Sequence, residues 1–423
     1  MLDMNLIREN PDLVKDSMKR RNMNPSLVDE VLTLDAEWRE TLTERNNLRH
    51  KKNTLAEEIK VLRQKGEDIS GKIAESKELP QKIQSLDEKE KALMSQIRTM
   101  MLQIPNILHE SVPNGVDDTE NVEVKRWGTF TDFDFELKSH VDIMEQLNLL
   151  DTDRASKVAG SRFYYLKNEA VFLDIALIHL ALNHLMNKGF QLMETPYMLN
   201  RRSVEGCVDM DAFEDVLYKV EGEDLYLTAT SEHTMASYHM DEILEKEDLP
   251  LRYAGFSACF RKEAGAHGKD TKGVFRTHQF NKVEQFVFST PEQSWDEHEL
   301  MIENAEEIFQ KLGIPYRVVN VCTGDLGGVA AKKYDIEAWM PKQEAFREVV
   351  SCSNCTDYQA RELNVRYRTP EGNVFTHTLN STALATSRAL VAIFENFQQA
   401  DGSVLIPEAL QDLVGTDRIG PRD

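Results

Sequence analysis

Residues 260–286 read FRKEAGAHGKDTKGVFRTHQFNKVEQF. The stretch predicts a short strand ending near Glu263, a Gly- and Lys-rich loop from Ala264 to Val274, and a second strand carrying Arg276, Phe280 and Glu284. Two strands joined by such a loop form an antiparallel pair. Side chains alternate along a strand, so Arg261 and Glu263 share a face, as do Arg276, His278, Phe280, Lys282 and Glu284. That face offers guanidiniums, carboxylates and one aromatic ring. Guanidiniums grip phosphate and carboxylate bidentately, a Phe face stacks on a base, and carboxylates accept from amino groups. A nucleoside triphosphate and a zwitterion suit this set better than a core does.

Three further stretches supply related chemistry. Leu225–Ser231, LYLTATS, alternates as a strand that delivers Thr230, Ser231 and Glu232 to its end, where a hydroxyl also caps a following helix. Glu348-Val349-Val350-Ser351 offers a hard carboxylate and a hydroxyl, suited to Mg²⁺ otherwise held by phosphates and water. Asn380–Arg388, NSTALATSR, sets small residues before a helix and an arginine at its start. Cys352 and Cys355 stand at zinc-ligand spacing, but no second Cys pair or His lies nearby at such spacing, so zinc is not expected.

Phe-Arg-x-Glu, a loop, then Arg-x-x-x-Phe resembles the second signature motif of the class II aminoacyl-tRNA synthetases. His278-Gln279-Phe280 and Lys282-Val283-Glu284 are similar to the seryl-tRNA synthetases in particular. Gly189-Phe190 through Pro196 resembles the first class II motif, and Asn380–Arg388 the third, with Ser381, Ala383 and Ala385 where glycines often stand. The resemblance implies an α+β fold: an antiparallel-sheet catalytic domain flanked by helices, preceded by a long antiparallel α-helical hairpin. It implies ATP and Mg²⁺ as cofactors, L-serine and tRNA(Ser) as substrates, a homodimer, and tRNA(Sec) as an open second acceptor.

Residue roles follow from the same resemblance. Catalysis falls to Arg261, Glu263, Arg276, Glu348 and Arg388. ATP is met by Arg261, Lys262, Glu263, Thr277, Phe280, Glu348, Val349, Val350, Ser351 and Arg388, with Mg²⁺ on Glu348 and Ser351. Serine is met by Thr230, Ser231, Glu232, Arg261, Glu284 and Thr382. Two alternatives are a ligase loading an amino acid on a carrier protein and a non-catalytic RNA-binding paralogue. The first predicts a remodelled arm and the second erosion at Arg261, Glu263, Glu348 or Arg388; the arm is full length and all four residues are present.

The N-terminal quarter carries its own pattern. Asn10-Pro11-Asp12 opens a short helix to about Asn22. From Ser26, Leu27, Val31, Leu34, Trp38, Leu48, Leu55, Ile59 and Leu62 keep a coiled-coil register with Thr41, Arg45 and Lys52 as polar occupants. Gly66 breaks it. A second register follows through Ile69, Leu79, Ile83, Leu86, Leu93, Ile97, Met100 and Ile104, with Pro80 expected to kink or restart the helix. Arg45, Arg49, His50, Lys51, Lys52, Lys60, Arg63 and Lys65 cluster in the distal half, where a rigid arm can meet RNA phosphates and shape, with Arg45, Arg49, Lys51, Lys52 and Lys60 as the candidates for that contact. The resemblance gives that arm the long variable arm of tRNA as its target. The expected domains are the arm at 1–105, a connector at 106–135 and the catalytic domain at 136–423. Within the last, a helix at 168–188 is expected to bury Val171, Ile175, Ile178, Leu182 and Leu185.

Composition sets the outer bounds. A chain of 423 residues accommodates two or three domains. The net charge of −22 falls wholly outside the arm, since residues 1–105 hold 19 of the 50 basic and 19 of the 72 acidic residues. An RNA would meet a neutral arm with local basic clusters on an acidic body. No run approaches the ~18 apolar residues of a membrane span, so no membrane partner is expected. The N-terminus has no basic-then-apolar leader pattern, and five irregularly spaced cysteines suit reduced thiols in a cytoplasm.

Overall fold

The structure, a computed structural model describing residues 1–208, 215–263 and 272–421, contains the expected antiparallel pair as strands Leu251–Phe260 and Gln279–Ser289. They run in unbroken register from Leu251 opposite Phe288 to Phe260 opposite Gln279. Both strands are shorter at the loop end than the sequence predicts. Arg261, Glu263, Arg276 and His278 lie just beyond them, although Arg261 N still donates to His278 O at 3.0 Å. Glu263 leaves the extended conformation altogether, with φ +50°. Positions 264–271 of the connecting loop are outside the described residues.

The chain divides into two compact units, Met1–Ile107 and Leu108–Asp423. In the second, the pair sits inside an eight-stranded sheet. The strand order is Val122–Trp127, Tyr316–Asn320, Lys332–Met340, Ala345–Asn354, His377–Ala385, Gln279–Ser289, Leu251–Phe260 and Gln191–Glu194. Every pairing is antiparallel except the last, where Gln191–Glu194 joins Leu251–Phe260 in parallel. The expected connector therefore does more than connect: its Val122–Trp127 segment is the edge strand of this sheet.

Alternation gives the sheet two unlike faces. Val283, Val287, Ile336, Val350, Cys352 and Leu379 point into the main core, against helices Glu169–Asn187, Ser294–Lys311 and Thr386–Asn396. Opposite them, Phe286 and Phe288 enter a second core with Met235, Ala236 and Leu363, and the polar residues of the same strands line an open cavity. Gly255 permits the close approach of helix Ser231–Ala236 to this face, because a Cβ there would stand 2.7 Å from Met235 Sδ.

Helix Glu169–Asn187 keeps only part of the expected face, with Leu185 buried and Ile178 and Leu182 packed against the main core. Ala170, Leu173, Ala176, Leu177, Ala181 and Leu185 are buried, whereas Val171 and Ile175 are exposed at 40% and 51%. Nearly every turn of this helix is apolar on both sides, so periodicity alone does not choose the face. By length and composition this helix also matches a membrane-crossing one, although Asp174, His179 and His184 interrupt its apolar run. Phe172, Met186 and the nearby strand residue Leu192 are likewise exposed.

The first unit is built on helices Ser26–Lys65 and Ser70–Leu102. At 40 residues the former is about 60 Å long. Gly66 ends it at φ +72°, and Gly66 N and Glu67 N donate to Arg63 O and Leu62 O. A left-handed residue here favours glycine for conformation alone, since a Cβ would meet nothing within 4 Å. The helices are antiparallel: Glu37 pairs with Lys89, Arg49 with Asp87, Lys51 with Glu75 and Glu58 with Lys72, the partners descending one helix as they ascend the other. Leu48, Leu55, Leu79 and Ile83 fill the seam between them. Pro80 does not restart the second helix, which is continuous across it.

Candidate active site

The cavity on the polar face has a volume of about 490 Å³. Thr230 caps helix Ser231–Ala236, its hydroxyl accepting from Glu232 N at 3.1 Å, and this sets Glu232 on the cavity wall. Glu284 comes from the next strand, ion-paired to Lys282, with Thr382 Oγ1 donating to its Oε2 at 3.4 Å. Thr382 stands directly opposite Glu284 in the ladder, which is why the two meet. Buried Glu284 and half-buried Glu232, with the Thr382 hydroxyl beside them, make this end of the cavity anionic. Burial, with Glu284 nearby, pushes the Glu232 carboxyl up to about 7.

Arg261 stands beside this acidic end. Its Nε donates to Ala229 O at 3.3 Å and its Cζ is 5.3 Å from the Phe280 ring centroid. Beyond it, Arg276 Nη1 lies 3.1 Å from Glu263 Oε2, and Arg388 Cζ lies 5.3 Å from the Phe275 ring centroid. Arg388 Nη1 also meets Glu348 Oε1 at 3.2 Å and Glu348 O at 2.9 Å. Partial loss of water around the half-exposed Glu348 carboxyl works to raise it, but Arg388, Lys333 and Arg261 together hold it below the usual carboxylate range. This end of the cavity is thus cationic and aromatic and the opposite end anionic.

Glu348 and Ser351 are three residues apart, so strict alternation would place them on opposite faces. A bulge resolves this. The register shifts at this point, with Val350 opposite Ile336 but Glu348 opposite Glu337, leaving Val349 unpaired. Glu348, Val349 and Ser351 all reach the cavity wall as a result. Asp335 faces Ser351 across the ladder; its Oδ1 is buried with no hydrogen-bond partner among the described residues, and its Oδ2 is 3.4 Å from Lys333. Burial pushes the Asp335 carboxyl up to about 7. Hard oxygens at Glu348 and Ser351 fit Mg²⁺ brought in with a nucleotide, which keeps its phosphate and water ligands. No preformed cage of three or more metal-binding side chains occurs among the described residues.

Most of the sequence-derived set converges here: Thr230, Glu232, Arg261, Glu263, Arg276, Thr277, Phe280, Glu284, Glu348, Val349, Ser351, Thr382 and Arg388 all line one cavity. Three do not. Val350 is fully buried in the main core, on the other face of its strand. Ser231 is fully buried, its Oγ donating to Gly255 O at 3.1 Å. Lys262 is not on the wall; its backbone N donates to Val216 O. Conversely, Lys333 and Asn380 line the cavity without having been assigned a role, and Gln359 stands behind it. Asn380 opens a stretch already singled out, and alternation from Thr382 would have placed it. Lys333 and Gln359 gave no such signal, because their faces depend on register and on helix packing.

On the arm, the five basic candidates divide. Arg45 is ion-paired to Glu90 and Asp87, with its side chain only 14% exposed; Arg49 pairs with Asp87 and Lys51 with Glu75. These three clamp the two helices together. Lys52 and Lys60 are exposed, with no ion pair among the described residues.

Similarity to known proteins agrees with this geometry. Residues 1–108 match the family described as the seryl-tRNA synthetase N-terminal domain, and residues 217–397 the tRNA synthetase class II core domain (G, H, P, S and T). The chain is 53% identical to the serine–tRNA ligase of Methanoregula boonei over 416 residues, 97% of this chain and 98% of that one. It is 54% identical to the corresponding ligase of Pyrococcus abyssi over 445 aligned positions, spanning 100% and 98%. Its fold superposes on the seryl-tRNA synthetase of Pyrococcus horikoshii, solved with ATP, at a TM-score of 0.96 and 52% identity, covering all of both chains. The cytoplasmic serine–tRNA ligase of Naegleria fowleri, solved with AMP, gives 0.90 and 38%, covering 100% and 99%. A helical arm, an antiparallel catalytic sheet and a cavity with an acidic and a cationic end accompany this likeness, and the chain belongs to the seryl-tRNA synthetase family.

Proposed function

We propose that the cavity carries out both steps of serine–tRNA ligation: activation of L-serine by ATP to seryl-adenylate and pyrophosphate, then transfer of the seryl group to the 3′ end of tRNA(Ser). The first step joins two anions, a carboxylate and the α-phosphate. Catalysis is therefore positioning and charge neutralisation, with no protein nucleophile. Arg261, between the acidic end and Phe280, holds the serine carboxylate and the α-phosphate. Phe280 and Arg388 flank the adenine, Glu263 accepts from its amino group, and Arg276 and Arg388 take the outer phosphates. Mg²⁺ on Glu348 and Ser351 supplies further neutralisation of phosphate charge when it is bound. Thr230 and Glu232 receive the substrate ammonium group, and Glu284 with Thr382 receives the hydroxyl.

The observation that carries this reading is the paired polarity of one cavity: two carboxylates and a threonine at one end, arginines and an aromatic ring at the other. Alanine leaves Glu284 and Thr382 unsatisfied, and threonine is excluded by volume. Pyrophosphate exchange across the twenty amino acids, followed by charging of total tRNA, tests it. Exchange with serine alone and charging of serine tRNA are expected; preference for another amino acid sinks the reading.

Two assembly proposals accompany it. The exposed apolar side of helix Glu169–Asn187, with Leu192, is the contact surface of a homodimer, in keeping with a patch of Val171, Phe172, Ile175 and Met186. The arm binds the tRNA; of the five basic candidates, Lys52 and Lys60 are the ones outside its ion pairs among the described residues. The five cysteines are buried thiols outside any disulfide, which suits a reducing compartment such as the cytoplasm.

A further inference from the structure

Glu232 is held from behind by an amide that never reaches the cavity. Gln359, on helix Tyr358–Leu363, is 1% exposed and absent from the cavity wall. Its Nε2 donates to Glu232 Oε1 at 3.0 Å and to Cys207 O at 3.2 Å, and its Oε1 accepts from Thr378 Oγ1 at 2.7 Å. Both donors and the acceptor are used. The amide has one workable orientation, since reversing it would set its oxygen against a carboxylate and a carbonyl. Asn380 Nδ2 donates to the same Glu232 Oε1 at 3.1 Å. That oxygen is therefore saturated by two N–H donors on the protein side, which leaves Oε2 as the one for a ligand.

We propose that Gln359 is the positioning residue that fixes the Glu232 carboxylate for the substrate's ammonium group, and thereby sets the affinity for serine. This rests on the assignment of Glu232 to that group. The electrostatic surroundings show why such a support is needed. Glu284, from the adjoining strand, opposes a charge on Glu232, as burial does; Lys282 and Arg261 favour it, and so does the Gln359 donor. The Cys207 and Cys355 thiols nearby are kept protonated by burial, and His233 on the same helix is kept neutral by burial. Removing the Gln359 amide takes away a donor that only the ionised carboxylate fully uses.

Pyrophosphate exchange with the full chain, measured against serine and ATP from pH 6 to 8.5, tests this. Gln359→Met keeps the length and loses the donors; serine KM rises about tenfold while ATP KM stays within about twofold. The acid limb of the kcat/KM profile for serine moves to higher pH. Gln359→Glu faces Glu232 with a second carboxyl, which can donate only when protonated, so its serine kcat/KM recovers as pH falls, the reverse of the parent. Thr378→Val, which removes only the anchor of the amide, raises serine KM less, in the same direction. Equal rises in both KM values, or an acid limb that does not move, overturn the proposal and leave Gln359 a packing residue. If Gln359→Met does not fold, the Thr378→Val split between the two KM values decides alone. Glu232→Gln separates the premises: an unchanged serine KM in that variant removes the ammonium assignment, whereas a large rise with an inert Gln359→Met removes only the proposal made here.

Discussion

Glu232 carries a consequence for pH that can be signed from its surroundings. Its carboxyl is pushed up to about 7 by burial and by Glu284, so it is charged above that pH and neutral below it. A neutral carboxyl loses most of its attraction for an ammonium group. Serine KM is therefore expected to climb as pH falls from 8 to 6, by up to about tenfold per unit below 7, while ATP KM changes little; exchange kinetics at several pH values check it. The residue was legible in the sequence because a hydroxyl and a carboxylate closed a short alternating strand. Its support was not, because Gln359 lies 127 residues away and meets it only through tertiary packing. Val350 shows the same limit in reverse: a motif names four consecutive residues, but a strand turns at least one of them to the core.

Among elements, the bulge at Val349 and the hairpin helices teach different lessons. Motif spacing placed Glu348 with Ser351, yet alternation denies it; only the partner strand reveals the extra residue that reconciles them. In the hairpin, the heptad pattern gave the length and the turn, because Gly66 and the apolar seam are local signals. It did not tell which cations hold helix to helix. Arg45, gripped by Glu90 and Asp87, is structural in this sense. Arg45→Ala is expected to lower arm stability by about 1–2 kcal/mol in thermal unfolding. The pair Lys52→Ala and Lys60→Ala should leave unfolding unchanged, weaken tRNA binding, and reduce the slope of affinity against salt by about 2. Loss of tRNA affinity confined to the Arg45 variant would reverse the assignment.

For the molecule as a whole, the two units predict separable losses. Deleting residues 30–98 should preserve serine-dependent exchange within about threefold and reduce tRNA charging at least about a hundredfold, as judged by initial charging rates, because every residue lining the cavity belongs to the second unit. Retained charging would remove the arm's role. For the exposed apolar helix face, Ile175→Glu sets a charge at a half-exposed position and should shift sedimentation from dimer to monomer, with an unaltered far-ultraviolet spectrum. The orientation of that helix was the feature least legible in the sequence. A helix apolar on both sides carries no marker of which side meets its own sheet, and here Ala170, Ala176 and Ala181, small enough for close packing, took the inner side over the larger Val171 and Ile175.

The placement of Val122–Trp127 bears on any attempt to isolate the catalytic body. Cutting at 136, where composition suggests a border, would strip the outermost ribbon from the sheet and lay bare the Tyr316–Asn320 backbone along its length. Raw β-margins of that kind recruit stray chains and precipitate. A fragment begun at Leu108 instead keeps its hem sewn, and should stay in solution where the shorter one clumps.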